Sequence, residues 1–244
     1  TFMRIVFITS KLNFVTSGAS VTEFDLLIRT LIRFGHTVTA VTLFSDQNRI
    51  LNPLPYSVIE ESIDTKGLWD IQKGIFRLLR KYETRADFFH LDGHLFLYGA
   101  GAYKVRGGRV PIAAYFIREL SSWPESSSAL FARGRQNLLK RLKERLRWSL
   151  EKYLLMPVAS RIDVISYSNP VLQKAYENFG MRKGGEVMAD PFDYRALMKK
   201  YGVAENSYAT RNKREGIITL FYSSRMAPGK GFDLLLSAFS FIKD

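Results

Sequence analysis

The chain has 244 residues, of which 46% are hydrophobic and 24% charged, and it contains no cysteine. This composition supplies ample core material and excludes a disordered chain, a disulfide scaffold and any thiolate metal site. Lysine and arginine number 36 against 23 aspartates and glutamates, a net charge of +13, which suits an anionic partner: nucleic acid, a phospholipid surface or a phosphorylated small molecule.

The longest apolar stretches, Val110 to Ile117 and Leu234 to Ile242, fall well short of the ~18 residues a membrane-spanning helix needs. The N-terminal run carries Arg4 inside its apolar stretch and has no small-residue cleavage site, so it reads as a first strand and a cytoplasmic location is expected. Apolar, β-branched runs then alternate with segments of helical period, the sequence form of βαβ units around a parallel sheet. The predicted strands are Met3 to Thr9, Thr37 to Phe44, Tyr56 to Glu60, Asp87 to Leu91, Val110 to Ile117, Asp163 to Tyr167 and Glu186 to Met188. The predicted helices are Ser20 to Phe34, Trp69 to Tyr82, His94 to Val105, Arg133 to Leu155 and Pro170 to Phe179. Ser20 and Glu23 form a Ser-x-x-Glu capping box, and Gly35 stands where a helix stop belongs. After Tyr201 the polar stretch Gly202 to Gly216 reads as a linker. Ile217 to Tyr222 and Phe232 to Ile242 then predict one further βα unit, which alone would leave its faces uncovered, so a truncated second domain is expected.

Two strand-to-helix joints carry candidate anion sites. Lys11 to Ser20 holds Gly18, where backbone can approach a ligand at a helix N-terminus. Ser223 to Gly231 places Arg225 and Lys230 at the positive end of a helix, where cations are disfavoured unless an anion joins them. It is not a P-loop, since Ser224 and Gly231 replace the required glycine and hydroxyl residue. His90, Asp92 and His94 form His-x-Asp-x-His at the end of a strand, the edge at which parallel α/β sheets hold ligands. With no cysteine and His36 as the one other histidine, the trio reads as a polar cleft wall and no metal is expected. Gly99-Ala-Gly101 lacks the third glycine of a dinucleotide fingerprint and reads as helix packing. Arg118 and Glu119 again place a cation and a carboxylate at a strand's carboxyl edge.

Arg133 to Lys152 contains eight basic and two acidic residues. At roughly 100° per residue Leu139, Leu142, Leu146, Leu150 and Tyr153 share one face, and Trp148 lies opposite among Arg141, Arg145 and Lys152. Two readings are open: a core-facing apolar stripe with a merely solvated outer side, or a basic outer side with Trp148 that touches an anionic membrane.

Taken together these residues resemble family 4 of the retaining glycosyltransferases, a GT-B type with two Rossmann-like halves facing one another across a cleft. Arg4 to Thr9 with Gly18-Ala19 is similar to the family's first strand and glycine loop. Phe34-Gly35-His36-Thr37-Val38-Thr39 and Asp87-Phe88-Phe89-His90 resemble its "x-G-H-x-V-x" and "D-V-V-H". Asp163 to Ser168 resembles "D-x-V-I-x-x-S", Val187 to Asp193 resembles "V-I-P-N-G-V-D", and Tyr222 to Leu235 resembles "x-G-R-L-x-x-x-K-G-x-D-x-L-L".

The resemblance implies an α/β fold with residues 1–204 as the acceptor-side domain, 205–216 as linker and 217–244 as the first βα unit of the donor-side domain. It implies that Arg225, Lys230 and the Gly18 loop hold the diphosphate of a nucleotide sugar, without metal or further cofactor. Asp92, His94 and Ser168 would face the acceptor, a glycan or lipid-linked glycan, with Arg118 and Glu119 as catalytic candidates. Ser224, Ala189-Asp190 and Phe192 depart from the family pattern, Arg118-Glu119 resembles the "R-D-L-W-P-E" subgroup of surface-polysaccharide assembly, and the Glu-x7-Glu motif does not occur in the 244 residues. Two other functions fit the residues less closely. A sugar-nucleotide epimerase or phosphorylase of similar architecture is one. A basic nucleic-acid-binding module is the other, against which the aromatics sit mostly in apolar strands and helices; no nucleic-acid partner is expected.

Overall fold

The computed structural model describes residues 2–15, 19–50, 53–64, 66–117, 145–182, 184–188, 193–202 and 232–240. The chain divides into two compact units, Thr1–Asp193 and Tyr194–Asp244.

In the first unit seven parallel strands form one sheet: β1 (Arg4–Thr9), β2 (Thr37–Leu43), β3 (Ser57–Glu61), β4 (Phe88–Asp92), β5 (Ile112–Phe116), β6 (Val164–Tyr167) and β7 (Glu186–Val187). They run in the order β3-β2-β1-β4-β5-β6-β7, so the direction of winding reverses between β1 and β4. The seven strands predicted between Met3 and Met188 are all present, within two residues of their expected ends. The helices are α1 (Ala19–Arg33), α2 (Leu68–Tyr82), a 3-10 turn (His94–Phe96) leading into α3 (Leu97–Val105), α4 over residues 145–159 and α5 (Pro170–Asn178). α1 begins at Ala19, which puts Ser20 inside the first turn rather than ahead of it as the capping box required. Its stop is as expected: Gly35 has φ +89°, and the His36 N–H reaches back to the Leu31 carbonyl at 3.1 Å, a geometry glycine adopts without Cβ strain.

Strand alternation sorts the core into two layers. Ile5, Phe7, Val38 and Ala40 meet Val21, Phe24 and Ile28 of α1 on one face. Val6, Ile8, Phe89, Leu91, Ile112, Ala114 and Phe116 meet α2, α3, α5 and the end of α4 on the other. There Phe116 stacks on Tyr176 with ring centroids 4.8 Å apart. Asn169 caps α5 by accepting the Leu172 N–H at 2.8 Å, with Pro170 in the first turn, where a missing N–H costs nothing.

The helix α4 lies the other way round from either sequence reading. Trp148 packs inward, against Phe179 at 5.8 Å, while Leu146, Leu150, Tyr153 and Leu154 are 54 to 67% exposed. Glu151, one of the two acidic residues of this basic segment, is 3% exposed and pairs with Arg147 at 3.5 Å. Two features explain the reversal. The indole offers the core more apolar surface than a single leucine, and residues Glu151–Leu155 form a π-helical turn, whose extra residue breaks the fixed period on which a helical stripe is drawn.

In the second unit the described residues form α6 (Tyr194–Tyr201) and α7 (Phe232–Ser240). α7 matches the last predicted helix. α6 is absent from the predicted elements because eight residues give little more than two turns of period. The linker 205–216 and the strand Ile217 to Tyr222 lie outside the described residues.

The glycines of α3 confirm a packing role. A Cβ on Gly99 would stand 2.6 Å from the Gln72 carbonyl oxygen, and one on Gly101 would stand 2.4 Å from the Val158 oxygen and 2.7 Å from the Ala159 Cα. Backbone cannot yield as a flexible side chain can, so Gly101→Ala is expected to destabilise the first unit by about 1 to 3 kcal/mol. Urea unfolding should show a lower midpoint at unchanged slope.

Candidate functional site

The strand register builds a feature that no single segment announces. Thr9 pairs with Thr42 on one side and Asp92 on the other; Asp92 pairs with Tyr115, Tyr115 with Ser166 and Ser166 with Glu186, while Thr42 pairs with Glu60. Each of the seven strands therefore contributes one polar residue to a single row. The row sits on the α1 face, one step above the buried Phe7, near the carboxyl edge.

At its centre, where the strand order reverses, the Thr9 hydroxyl donates to Asp92 Oδ2 at 3.1 Å. That reversal opens the crevice in which doubly wound sheets bind ligands. Farther along, the Tyr115 hydroxyl donates to the Met188 carbonyl and the Ser166 hydroxyl to the Ala114 carbonyl, both at 3.4 Å. Thr42 Oγ1 is buried and has no hydrogen-bond partner among the described residues.

Burial raises the Asp92 carboxyl to about 6, against the Thr9 hydrogen bond, which lowers it. Two residues earlier on the same face, His90 lies against Phe7 with centroids 4.3 Å apart, and burial lowers its imidazole to about 4. Near neutral pH the row thus contains a carboxyl group able to exchange its proton, and the histidine beneath it stays neutral.

Of the residues singled out in the sequence, the structure brings three to this edge. Asp92 is in the row, His94 follows it in the 3-10 turn after Gly93, and Ser168 comes two residues after Ser166, its N–H bonded to the Phe116 carbonyl. His90 does not join them, since it lies beneath Asp92 in the sheet. Among the described residues no group of three histidines or carboxylates could hold a metal ion. Gly18, Arg118, Glu119, Arg141, Arg225 and Lys230 lie outside the described residues. Arg145, Trp148 and Lys152 belong to α4, which packs on the opposite face of the sheet.

Thr9, Tyr115 and Ser166 escape sequence reasoning because each is one polar residue in an apolar run, and only the register aligns them. Asn13 escapes too. Its amide donates to the Gln47 carbonyl at 2.6 Å, while the Leu12 N–H donates to Asn48 and Lys11 to Gln47. These bonds fix the start of the loop that leads to Gly18. A separate cavity of about 390 Å³ lies between the end of β3 and α2, lined by Lys73, Arg77, Lys81, Glu61, Asp64 and Asp70. Its charges balance, and it shares no residue with the row.

No family model matches the sequence, and no curated protein sequence matches it. Solved structures do match the fold. A glycosyltransferase from Rickettsia africae ESF-5 superposes with a TM-score of 0.52 over 99% of this chain and 58% of its own, at 15% identity. The α,α-trehalose-6-phosphate synthase of Burkholderia multivorans gives 0.52 over 85% of this chain and 54% of its own, at 10% identity. The first unit has the parallel α/β, Rossmann-like fold found in glycosyltransferases of the GT-B type. The chain spans little more than half the length of these glycosyltransferases, and at such identities the fold is what it shares with them.

The opposed shifts of Asp92 and His90 have a measurable signature. Between pH ~4 and ~6 the folded chain keeps a proton on Asp92 that the unfolded chain has lost, and between pH ~4 and ~6.5 the unfolded chain carries one on His90 that the folded chain lacks. Stability lost through Asp92 as pH rises through about 6 is offset by stability gained through His90. Asp92→Asn removes the first effect alone. The variant is expected to be more stable than wild type at pH 7, by up to about 3 kcal/mol, and to lose stability as pH falls from 6.5 towards 4. Thermal unfolding across that range checks both; a profile parallel to wild type would refute the buried carboxyl.

Proposed function

We propose that this chain carries the acceptor-side half of a glycosyltransferase that passes a sugar, with retention, from a nucleotide diphosphate sugar to a hydroxyl of a glycan or lipid-linked glycan. The observation that carries the reading is the polar row centred on Thr9 and Asp92 at the point of strand reversal in a glycosyltransferase fold. Hydroxyls and carboxyls spaced one strand apart suit a polyhydroxylated ligand, because each sugar hydroxyl both donates and accepts. Asp92, His94 and Ser168 receive the acceptor in this reading, and Arg118 and Glu119 are the candidates nearest the chemistry. Arg225, Lys230 and the N–H groups of the Gly18 loop hold the leaving diphosphate, stabilising charge as it develops.

The reaction is tested on the full-length gene product with labelled nucleotide sugars and extracted lipid-linked or soluble glycans. Transfer with the anomeric configuration preserved supports the assignment. Conversion of the nucleotide sugar to its epimer without any acceptor points to an epimerase instead. Replacing Arg225 or Lys230 with Ala should weaken nucleotide sugar binding by roughly 1 to 3 kcal/mol in titration calorimetry. Turnover should survive exhaustive EDTA treatment; loss restored by Mn²⁺ would overturn the metal-free mechanism.

A further inference from the structure

We propose that the outward face of α4 docks the protein on an anionic lipid bilayer, through a surface separate from the polar row and independent of the chemistry assigned to it. Leu146 and Leu150, one turn apart, and Tyr153 and Leu154 in the π turn that follows expose 59, 54, 67 and 60% of their surface. Four large exposed apolar side chains within about two turns of one helix form a patch, unlike the scattered single residues common on protein surfaces. No described helix is long and apolar enough to cross a membrane, so this stripe would lie along an interface.

The cations around the stripe select the occupant. Arg145 and Arg147 project about 100° to either side of Leu146 on the helix, and both are exposed. Lys152 places its ammonium 5.2 Å from the Trp148 ring centroid and 5.7 Å from that of Tyr153, a long stem along apolar surface with its charge at the margin. Apolar residues in the middle, cations at both flanks and a tyrosine between them match the layering of acyl chains beneath anionic headgroups. A second copy of the chain fits worse. Two such faces would bring arginines against arginines between molecules of net charge +13, and four half-exposed side chains offer less than the ~800 Å² per partner that a stable pair buries.

Trp148 is not part of this surface, because its ring packs on Phe179. The test separates the two faces. Wild-type protein is sedimented at low salt with vesicles of equal phosphatidylglycerol and phosphatidylcholine and with phosphatidylcholine alone, alongside Leu150→Ser/Leu154→Ser and Trp148→Phe. Wild type should bind the anionic vesicles at least about tenfold more tightly than the neutral ones, an advantage that salt removes. The double serine variant should lose at least about tenfold in binding to the anionic vesicles, and Trp148→Phe should retain it. Thermal midpoints of wild type and the double variant should agree within a few degrees.

Equal vesicle binding by wild type and the double variant overturns the proposal. So does a midpoint lowered by ten degrees or more in that variant, which would mean that another part of the chain covers the stripe. A wild-type dimer in sedimentation velocity that the double variant abolishes would assign the face to a second copy. None of these outcomes depends on sugar transfer, so the docking surface and the proposed reaction stand or fall separately.

Discussion

The pairing of β1 with β4 is the seam on which the first unit depends. It joins the wing β3-β2-β1 to the wing β4-β5-β6-β7, and it is tied at both ends by side chains. At the amino end Asp87 accepts from the Arg4 backbone N–H at 2.8 Å and from its guanidinium at 2.6 Å, while the Asp87 N–H donates to the Arg4 carbonyl. At the carboxyl end Thr9 donates to Asp92. Between these ties the strands run in unbroken register from Ile5 opposite Phe88 to Thr9 opposite Asp92. The exposed tie at the amino end sets alignment; the half-buried one at the carboxyl end stands where ligands of such sheets bind.

The two ties also differ chemically. The Asp87 carboxyl is held down to about 2 by the Arg4 guanidinium and backbone N–H, so it stays charged near neutral pH. Asp92 has one neutral hydroxyl for company and is lifted to about 6 by burial. The same residue type is thus a fixed charge just before β4 and a titrating group at its end, and the difference is one of surroundings. A group poised in this way is suited to work on a hydroxyl-bearing ligand.

The two faces of the sheet divide the remaining labour. α1 covers part of the face that carries the polar row, and α2, α3, α4 and α5 cover the other. Gly99 and Gly101 let α3 approach the backbone of α2 and α4 closely, which leaves α4 anchored by its Trp148, Met156 and Ala159 side. Anchoring that side is what turns the leucines outward. A large apolar surface left at the margin of the fold is consequently a product of core packing, not a feature independent of it.

The parallel α/β class and the seven strands and five helices found among the described residues of the first unit were legible in the amino-acid string. Apolar β-branched runs and helical period are local properties, and local properties survive in a string of letters. The sequence also marked Asp92 and His94 as edge residues, because the ends of strands can be counted. Tertiary structure alone decided which strands are neighbours, and so it alone aligned Thr9, Asp92, Tyr115 and Ser166 into one row. It alone decided which side of α4 is buried, since a helical wheel shows two faces but not how well a tryptophan fills a space beside Phe179, nor where a π turn shifts the phase. Periodicity is encoded within a segment; register and burial arise between segments, and there the competition among all of them sets the outcome.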